Sequence, residues 1–434
     1  MSTTYTILNA TGGVSGTFAN ATSSLPFLQP SLSYDNNNAY LTLKPGGFAR
    51  GAQTTNQAAV GGVLDRSVAG ATGDFATVIG TLATFPLAQG QAAMDAISGQ
   101  NYSGFSTANI GGGLMFMNVL GQQMSQARGG AGGGSRVALA QACDVACDGE
   151  GPGPWSLWGS ALGVTGSVAG NGSSSTLTYN AGGFATGADY RVDPRFLVGL
   201  GLGVVSGNQY LGGFSGRGTS NSYQASLYAS FTQSAFYLDT QAGYGYNDNQ
   251  MTRQIVIPGL QPRIAMGRTG ANQLLGQVEA GYKIDIYQRA AASLTPFARF
   301  QATTVNQAAF NESGANSLSL NVAQQITNSA RTVLGAELAG TIDAGWRDKL
   351  ALQFRLGWAH EYADTSRPVT ASFAGAPGAA FTVFGAAPLR DAATIGLAAN
   401  TNIAERTSLY FRYDGEVGTG SDSHAFTGGL RMSW

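Results

Sequence analysis

From Trp155 to the end of the chain, apolar side chains recur at every second position. A strand points successive side chains to opposite faces, so each such run is an apolar stripe backed by a polar one. In the run from Lys349, one parity holds Leu350, Leu352, Phe354, Leu356 and Trp358, and the other holds Gln353 and Arg355. Near residue 272, Leu274, Val278, Tyr282, Ile284 and Ile286 oppose Gln277, Glu279, Lys283 and Asp285. The last nine residues repeat the pattern, with Phe426, Leu430, Met432 and Trp434 on one side and Thr427, Gly429, Arg431 and Ser433 on the other. The alternation predicts about twelve strands, beginning near residues 155, 181, 195, 221, 235, 272, 293, 330, 349, 391, 406 and 423.

The connections alternate in length. Short turns fall at 192–194, 232–233, 287–291, 344–348 and 404–405. Long loops fall at 165–179, 208–220, 248–271, 305–329 and 362–390, and the last connection, 417–422, is short. Short-then-long alternation is the habit of a membrane β-barrel, with turns on one side of the bilayer and loops on the other. Charges recur on the polar parity: Asp239, Glu279, Lys283, Arg299, Glu337, Arg355, Arg412 and Arg431. A basic charge on the lipid face costs roughly 2–4 kcal/mol at mid-bilayer, so these eight are expected to line a lumen.

Upstream the period changes. Residues 1–55 hold short alternating runs with Gly and Asn turns and read as the last rungs of a stacked β structure. Residues 56–104 carry two helical faces, Val60–Val63–Leu64–Val68 and Phe75–Val78–Ile79–Leu82, the second ended by Pro86. Residues 105–154 hold a third helix candidate, with Ile110, Leu114, Met117 and Met124 near one stripe, and then a Gly-rich linker. Residues 155–434 are the strand-rich unit.

Composition sharpens this picture. Charged residues make up 11% of the 434, and 63 residues are Gly, whereas soluble proteins carry roughly 25% charge. No run of apolar residues is long enough for a membrane helix. A net charge of −1 leaves no footprint for nucleic acid. The fold class expected is therefore an all-β membrane protein, an antiparallel barrel of about twelve strands. Cys143 and Cys147 are close enough to close a small disulfide loop in an oxidising compartment, or to remain free thiols. Two thiolates without a nearby His are a poor metal set, and no cofactor motif stands out. Gly201–Leu202–Gly203 is a fragment of a dinucleotide motif without its third Gly. The two His, His360 and His424, lie near acidic residues at strand ends, and no G-x-S-x-G accompanies them, so no catalytic site is predicted.

The stretch from Trp155-Ser156-Leu157-Trp158-Gly159 to Arg431-Met432-Ser433-Trp434 resembles the autotransporter β-domain, the translocator of type V secretion. Ala93 to Tyr102 is similar to that family's junction between passenger and translocator, and Tyr34 to Leu43 to the end of a passenger β-helix. The resemblance implies a pore-threading helix, for which residues 105–128 are the candidate. It implies an outer-membrane barrel, monomeric and surrounded by lipid and lipopolysaccharide. Periplasmic chaperones and the β-barrel assembly machinery would deliver it. The machinery would read Phe426, Leu430, Met432 and Trp434, with Trp434 standing where the family usually has Phe. The start of the chain shows no signal peptide, so a longer precursor is expected. No Asn–Asn pair marks the helix for self-cleavage; Asn109 and Asn118 are isolated. The competing reading is an outer-membrane porin or adhesin barrel with a periplasmic N-terminal extension.

Overall fold

The alternation of apolar and polar residues closes on itself in three dimensions. The computed structural model describes residues 2–129, 153–345 and 349–434. It begins with three strands, β1 (Thr3–Asn9), β2 (Leu28–Tyr34) and β3 (Asn38–Pro45), with β3 central and both pairings antiparallel. This antiparallel sheet replaces the expected stack of rungs. Its β2–β3 reversal has a local cause. The Asp35 carboxylate accepts from the Tyr40 hydroxyl at 2.6 Å and from the backbone N–H groups of Asn37 and Asn38, a side-chain-built turn. The Tyr40 bond, followed by those from Asn37 and Asn38, pulls the Asp35 pKa down to about 2.

Helices α1 (Thr55–Ser67), α2 (Gly73–Ala83) and α3 (Leu87–Ile97) follow. Thr54 and Gln57 form a reciprocal capping box at the start of α1. A 3-10 turn over Gln100–Ser103 leads into α4 (Gly104–Ala127). None of the helices described is long and apolar enough to cross a membrane.

The remaining strands are β4 (Trp155–Val168), β5 (Leu177–Asp193), β6 (Phe196–Leu211), β7 (Gly216–Gln233), β8 (Phe236–Ile255), β9 (Arg263–Tyr282), β10 (Ile284–Tyr287), β11 (Ala292–Gln307), β12 (Phe310–Asn311), β13 (Leu320–Val322), β14 (Gln325–Ile342), β15 (Leu350–Glu361), β16 (Pro368–Phe373), β17 (Ala380–Phe384), β18 (Asp391–Ala404), β19 (Thr407–Gly418) and β20 (Ser421–Ser433). One 13-stranded antiparallel sheet contains a four-residue extension, β10, and 12 full strands. Those 12 form a closed barrel, because β20 pairs with β4 and β9 pairs with β11. Closure removes the strand edges that an open sheet would expose.

The predicted loops 208–220 and 248–271 prove to be mostly strand: β8 and β9 each run 20 residues. On the outer half of β8 the outward parity turns polar, with Asp248, Gln250, Thr252 and Gln254, while Met251 and Ile255 are buried on the inward parity, so the outward apolar stripe stops while the ladder continues. Arg268 and Asp248 pair across it at 2.8 Å. By contrast β19 and β20 meet in a tight turn at Thr419–Gly420, so the long-loop rim is tall on one side and low on the other.

Above the tall side, β12, β13, β16 and β17 make a separate four-stranded sheet. Helices α1–α3 bury Val60, Leu64, Phe75, Ile79, Met94 and Ile97 against it, and against Met251, Ile255 and Ala265 of β8 and β9. The N-terminal helices thus share one core with the loops.

Candidate functional site: the barrel lumen and its helix

Two groups of side chains leave the barrel wall. Outward, Leu200, Leu227, Leu274, Phe300, Leu334, Phe354, Leu397, Phe411 and Leu430 are all exposed. A band this continuous requires an apolar surrounding. Phe426, Met432 and Trp434 belong to it. The Trp434 N–H donates to the Trp155 carbonyl at 3.0 Å, and the Trp155 N–H donates back at 3.2 Å, which pins the last residue to the first barrel strand. Inward, the lumen holds α4, whose first turn is at the long-loop rim and whose last turn is at the short-turn rim.

The helix is seated against one wall. β6 places Gly199, Gly201 and Gly203 on its inward parity. A Cβ on Gly201 would stand 2.5 Å from Leu120 Cδ2, and one on Gly203 would stand 2.8 Å from the Phe116 ring. Gly201 and Gly203 are clearance for the helix, which is the structural meaning of the Gly201–Leu202–Gly203 fragment, while Gly199 makes room for the Tyr228 ring. Phe116, Leu120, Met117 and Met124 share an apolar cluster with Trp158, Ala185, Val205 and Tyr228. Ile110 packs instead with Ala271 and Val305, and Leu114 lies partly buried between the two groups.

Polar bonds fix the helix along its length. Gln273 Nε2 donates to the Asn109 carbonyl at 3.0 Å, and Ser220 Oγ donates to Asn109 Oδ1 at 2.9 Å. Gln241 Nε2 donates to the Met117 carbonyl at 2.8 Å. Arg299 and Gln301 donate to Asn118 Oδ1 at 2.9 and 3.3 Å. At the C-terminal end Arg128 pairs with Asp239 and stacks its guanidinium over the Tyr237 ring, while Arg191 donates to the Ala127 carbonyl. Cations beside the last carbonyls also suit the helix dipole.

Six of the eight charges expected in the lumen are buried side chains inside the barrel. Glu279 is the hub: it accepts from Arg299 at 2.5 Å, from Arg355 at 2.9 Å and from the Tyr237 hydroxyl at 2.7 Å. Asp239 pairs with Arg128 as above, and Arg412 holds Asp414 by two bonds of 2.6 Å. Arg431 pairs with Asp189 at 2.5 Å and donates to Gln123 Oε1 of the helix at 3.3 Å. Glu337 is half-buried, 3.6 Å from Arg355. Lys283 is a correction. It keeps the inward parity but sits just past the end of β9, half-exposed, and faces Asp285 at 3.5 Å beyond the lumen.

Asp189, Tyr228 and Trp158 were not singled out from the sequence. Tyr228 accepts from the Trp158 indole at 2.8 Å and donates to Asp189 at 2.9 Å. Each stands on the inward parity, which is the signal that could have found them. The Arg253–Glu312 pair above the lumen also lay out of reach. Glu312 accepts from Arg253 at 2.6 and 2.7 Å, from the Tyr102 hydroxyl at 2.6 Å and from the Leu320 N–H at 2.8 Å. It joins the turn before α4 to the loop sheet.

His360 shares a 2.7 Å bond with Asp391, and His424 shares a 2.8 Å bond with Tyr413. Among the described residues no acidic, His and Cys cluster could hold a metal ion. Cys143 and Cys147 lie outside the described residues.

Comparison with known proteins agrees with this geometry. The autotransporter β-domain family model matches residues 157–414. Two extracellular serine proteases of Serratia marcescens are 24% and 23% identical to 98% of this chain, which spans 42% of their length. The translocator domain of NalP from Neisseria meningitidis has the same fold, with a TM-score of 0.53 at 14% identity over 69% of this chain and 94% of that one. The transport unit of AIDA-I from Escherichia coli superposes with a TM-score of 0.50 at 15% identity, over 69% and 97% of the two chains. The β-domain is a translocator rather than a catalytic domain, and its place is the Gram-negative outer membrane with the passenger at the cell surface. This chain belongs to the autotransporter family, as its outer-membrane translocator.

Proposed function

We propose that α4 is the arrested tail of the exported chain and that residues 2–103 are what it has delivered outside. The observation that carries this is the direction of α4. It enters at the long-loop rim, next to Leu177 and Gln209, and leaves at the short-turn rim, beside Arg128 and Asp239. A chain drawn out through the lumen with its barrel end fixed would finish in this orientation. Residues 1–55 are then the end of the passenger, 56–104 the junction, 105–154 the pore helix and linker, and 155–434 the translocator.

Export ends when the junction folds. Glu312 gathers Tyr102, Arg253 and Leu320 around one carboxylate, and α1–α3 bury their apolar faces on the loops. Burying that surface outside favours the exported state over return. Assembly is the earlier step. Phe426, Leu430, Met432 and Trp434 form the outward stripe of the closing strand, the part that the assembly machinery would read after periplasmic chaperones deliver the chain. Upstream activity, including any hydrolase like the Serratia relatives, belongs to the whole protein.

The test is a small disulfide-closed domain fused ahead of Ser2 behind a signal peptide. Reduced, it should reach the surface and bind antibody on intact cells; oxidised, it should stall while the barrel stays inserted. Equal display of both forms would place the export route elsewhere than this lumen.

A further inference from the structure

The lumen is not filled evenly. Against β11, β14, β15, β18, β19 and β20, and the upper ends of β4 and β5, the helix leaves a recess of about 180 Å³. Its helix side is Thr107, Ile110, Gly111, Leu114 and Asn118. Its upper edge includes Leu389, Arg390, Ser421 and Asp422, where the short β19–β20 turn keeps the rim low.

The chemistry of its lining is one-sided. Six guanidinium groups border it, those of Arg299, Arg331, Arg355, Arg367, Arg390 and Arg412, against four carboxylates, Glu361, Asp414, Glu416 and Asp422. The carboxylates are occupied. Asp414 takes both of its bonds from Arg412, and Glu416 is held by Arg331 at 2.6 and 3.2 Å. Glu361 accepts from Ser329 and from the N–H groups of Ala330 and Ala363, and Asp422 accepts from Ser167. Four of the guanidinium groups are matched as well, Arg299 and Arg355 by Glu279 behind the lining and Arg331 and Arg412 as above, but Arg367 and Arg390 are not. Arg367 is only 4% exposed, yet it donates to the carbonyls of Asp364 and Ser366 and to Thr107 Oγ1, with no bonded carboxylate. Arg390 donates only to the carbonyls of Glu361 and Ala363, and the Arg331 Nε is buried without a partner. A buried cation without a counter-charge is costly, and planar guanidinium donors match the oxygens of an oxyanion.

We infer that this recess is an outward-open binding site for small oxyanions of the phosphate or sulfate class. The arginines of β14, β15 and β19 form its back, Arg367 and Arg390 guard its mouth, and Gly111 leaves room on the helix.

The test uses Gly111→Cys in the full chain with Cys143→Ser and Cys147→Ser, inserted in outer membranes. Apart from the helix's own neighbouring backbone, no atom lies within 4 Å of a Cβ placed at residue 111. The new thiol is reacted from outside with methanethiosulfonate reagents bearing a sulfonate or a trimethylammonium group, each rate normalised to that with a free thiol. The sulfonate reagent should react several-fold faster, inorganic phosphate should slow it more than chloride at equal ionic strength, and Arg367→Gln or Arg390→Gln should erase the preference. Equal rates, faster reaction with the cationic reagent, no reaction with either, or no effect of phosphate would overturn the inference. Heat-modifiable migration of each variant on a gel checks that the barrel has folded.

Discussion

The two walls of the lumen treat the same helix in opposite ways. The β4–β8 wall gives up side chains, with glycines on β6, so that Phe116 and Leu120 can press into it. The β14–β20 wall keeps long arginines and stands off around Gly111, which faces open space, and it reaches the helix through single polar bonds such as that from Gln123 to the Tyr410 hydroxyl at 2.8 Å. Tight packing on one side fixes the position of the helix, and distance on the other leaves polar room. A helix gripped all round would be fixed as firmly but would leave no such space.

That contrast can be broken most forcefully at its shared foundation. Glu279→Ala should leave Arg299 and Arg355 without their common carboxylate, at a cost of roughly 3–5 kcal/mol. The temperature at which the folded band disappears on a gel should fall sharply, or the barrel should fail to insert. On the packed wall, Gly203→Leu should cost about 1–3 kcal/mol, because its side chain must enter space held by the Phe116 ring. Phe116→Ala in the same chain should restore most of the loss, measured the same way. Tyr228→Phe removes the bridge between Trp158 and Asp189 and should cost about 1–2 kcal/mol. On the open wall, Gly111→Ala should not destabilise, and should add up to ~1 kcal/mol through helix propensity.

The smallest effect concerns α1–α3 and the four-stranded loop sheet, which together cap the barrel. Burial raises the pKa of Asp74, but the bidentate bonds from Arg263, both 2.8 Å, and those from Ser317 outweigh it and hold the carboxyl below its ordinary range. A depressed folded value means that this contribution is complete above the unfolded pKa of ~4 and disappears as pH falls through the folded one. Protease sensitivity of α2 should therefore rise on acidification, and Asp74→Asn should flatten that response. The pair is partly exposed, so the change should stay near or below ~1 kcal/mol.

The barrel was legible because lipid demands apolar side chains on one parity of every strand, and Leu352, Phe354 and Leu356 show that demand without any partner in view. The twelve strands follow from it, whereas the central helix is implied by the family resemblance and not by parity. The outer half of β8 reads as loop because its outward apolar stripe gives way to Asp248, Gln250, Thr252 and Gln254, and its apolar residues, Met251 and Ile255, move to the inward parity under α1–α3, while hydrogen bonding continues. Lys283 was misplaced because parity says which way a side chain points but not where the wall ends. The N-terminal sheet departs from stacked rungs at Asp35, whose turn folds β3 back against β2. The cap was out of reach for another reason: Tyr102 and Glu312 are partners, yet no local pattern links residues so far apart in the chain.

Under the export reading, residues 2–103 stand outside while α4 occupies the pore. The most direct measurement is protease shaving of intact cells that carry the chain behind a signal peptide, with an epitope tag just before Ser2. The tag should be removed while a heat-modifiable barrel containing α4 stays in the outer membrane. A tag that survives shaving on an inserted barrel, and is cut only after the outer membrane is opened, would mean that these residues never left the periplasm, and would contradict the export reading.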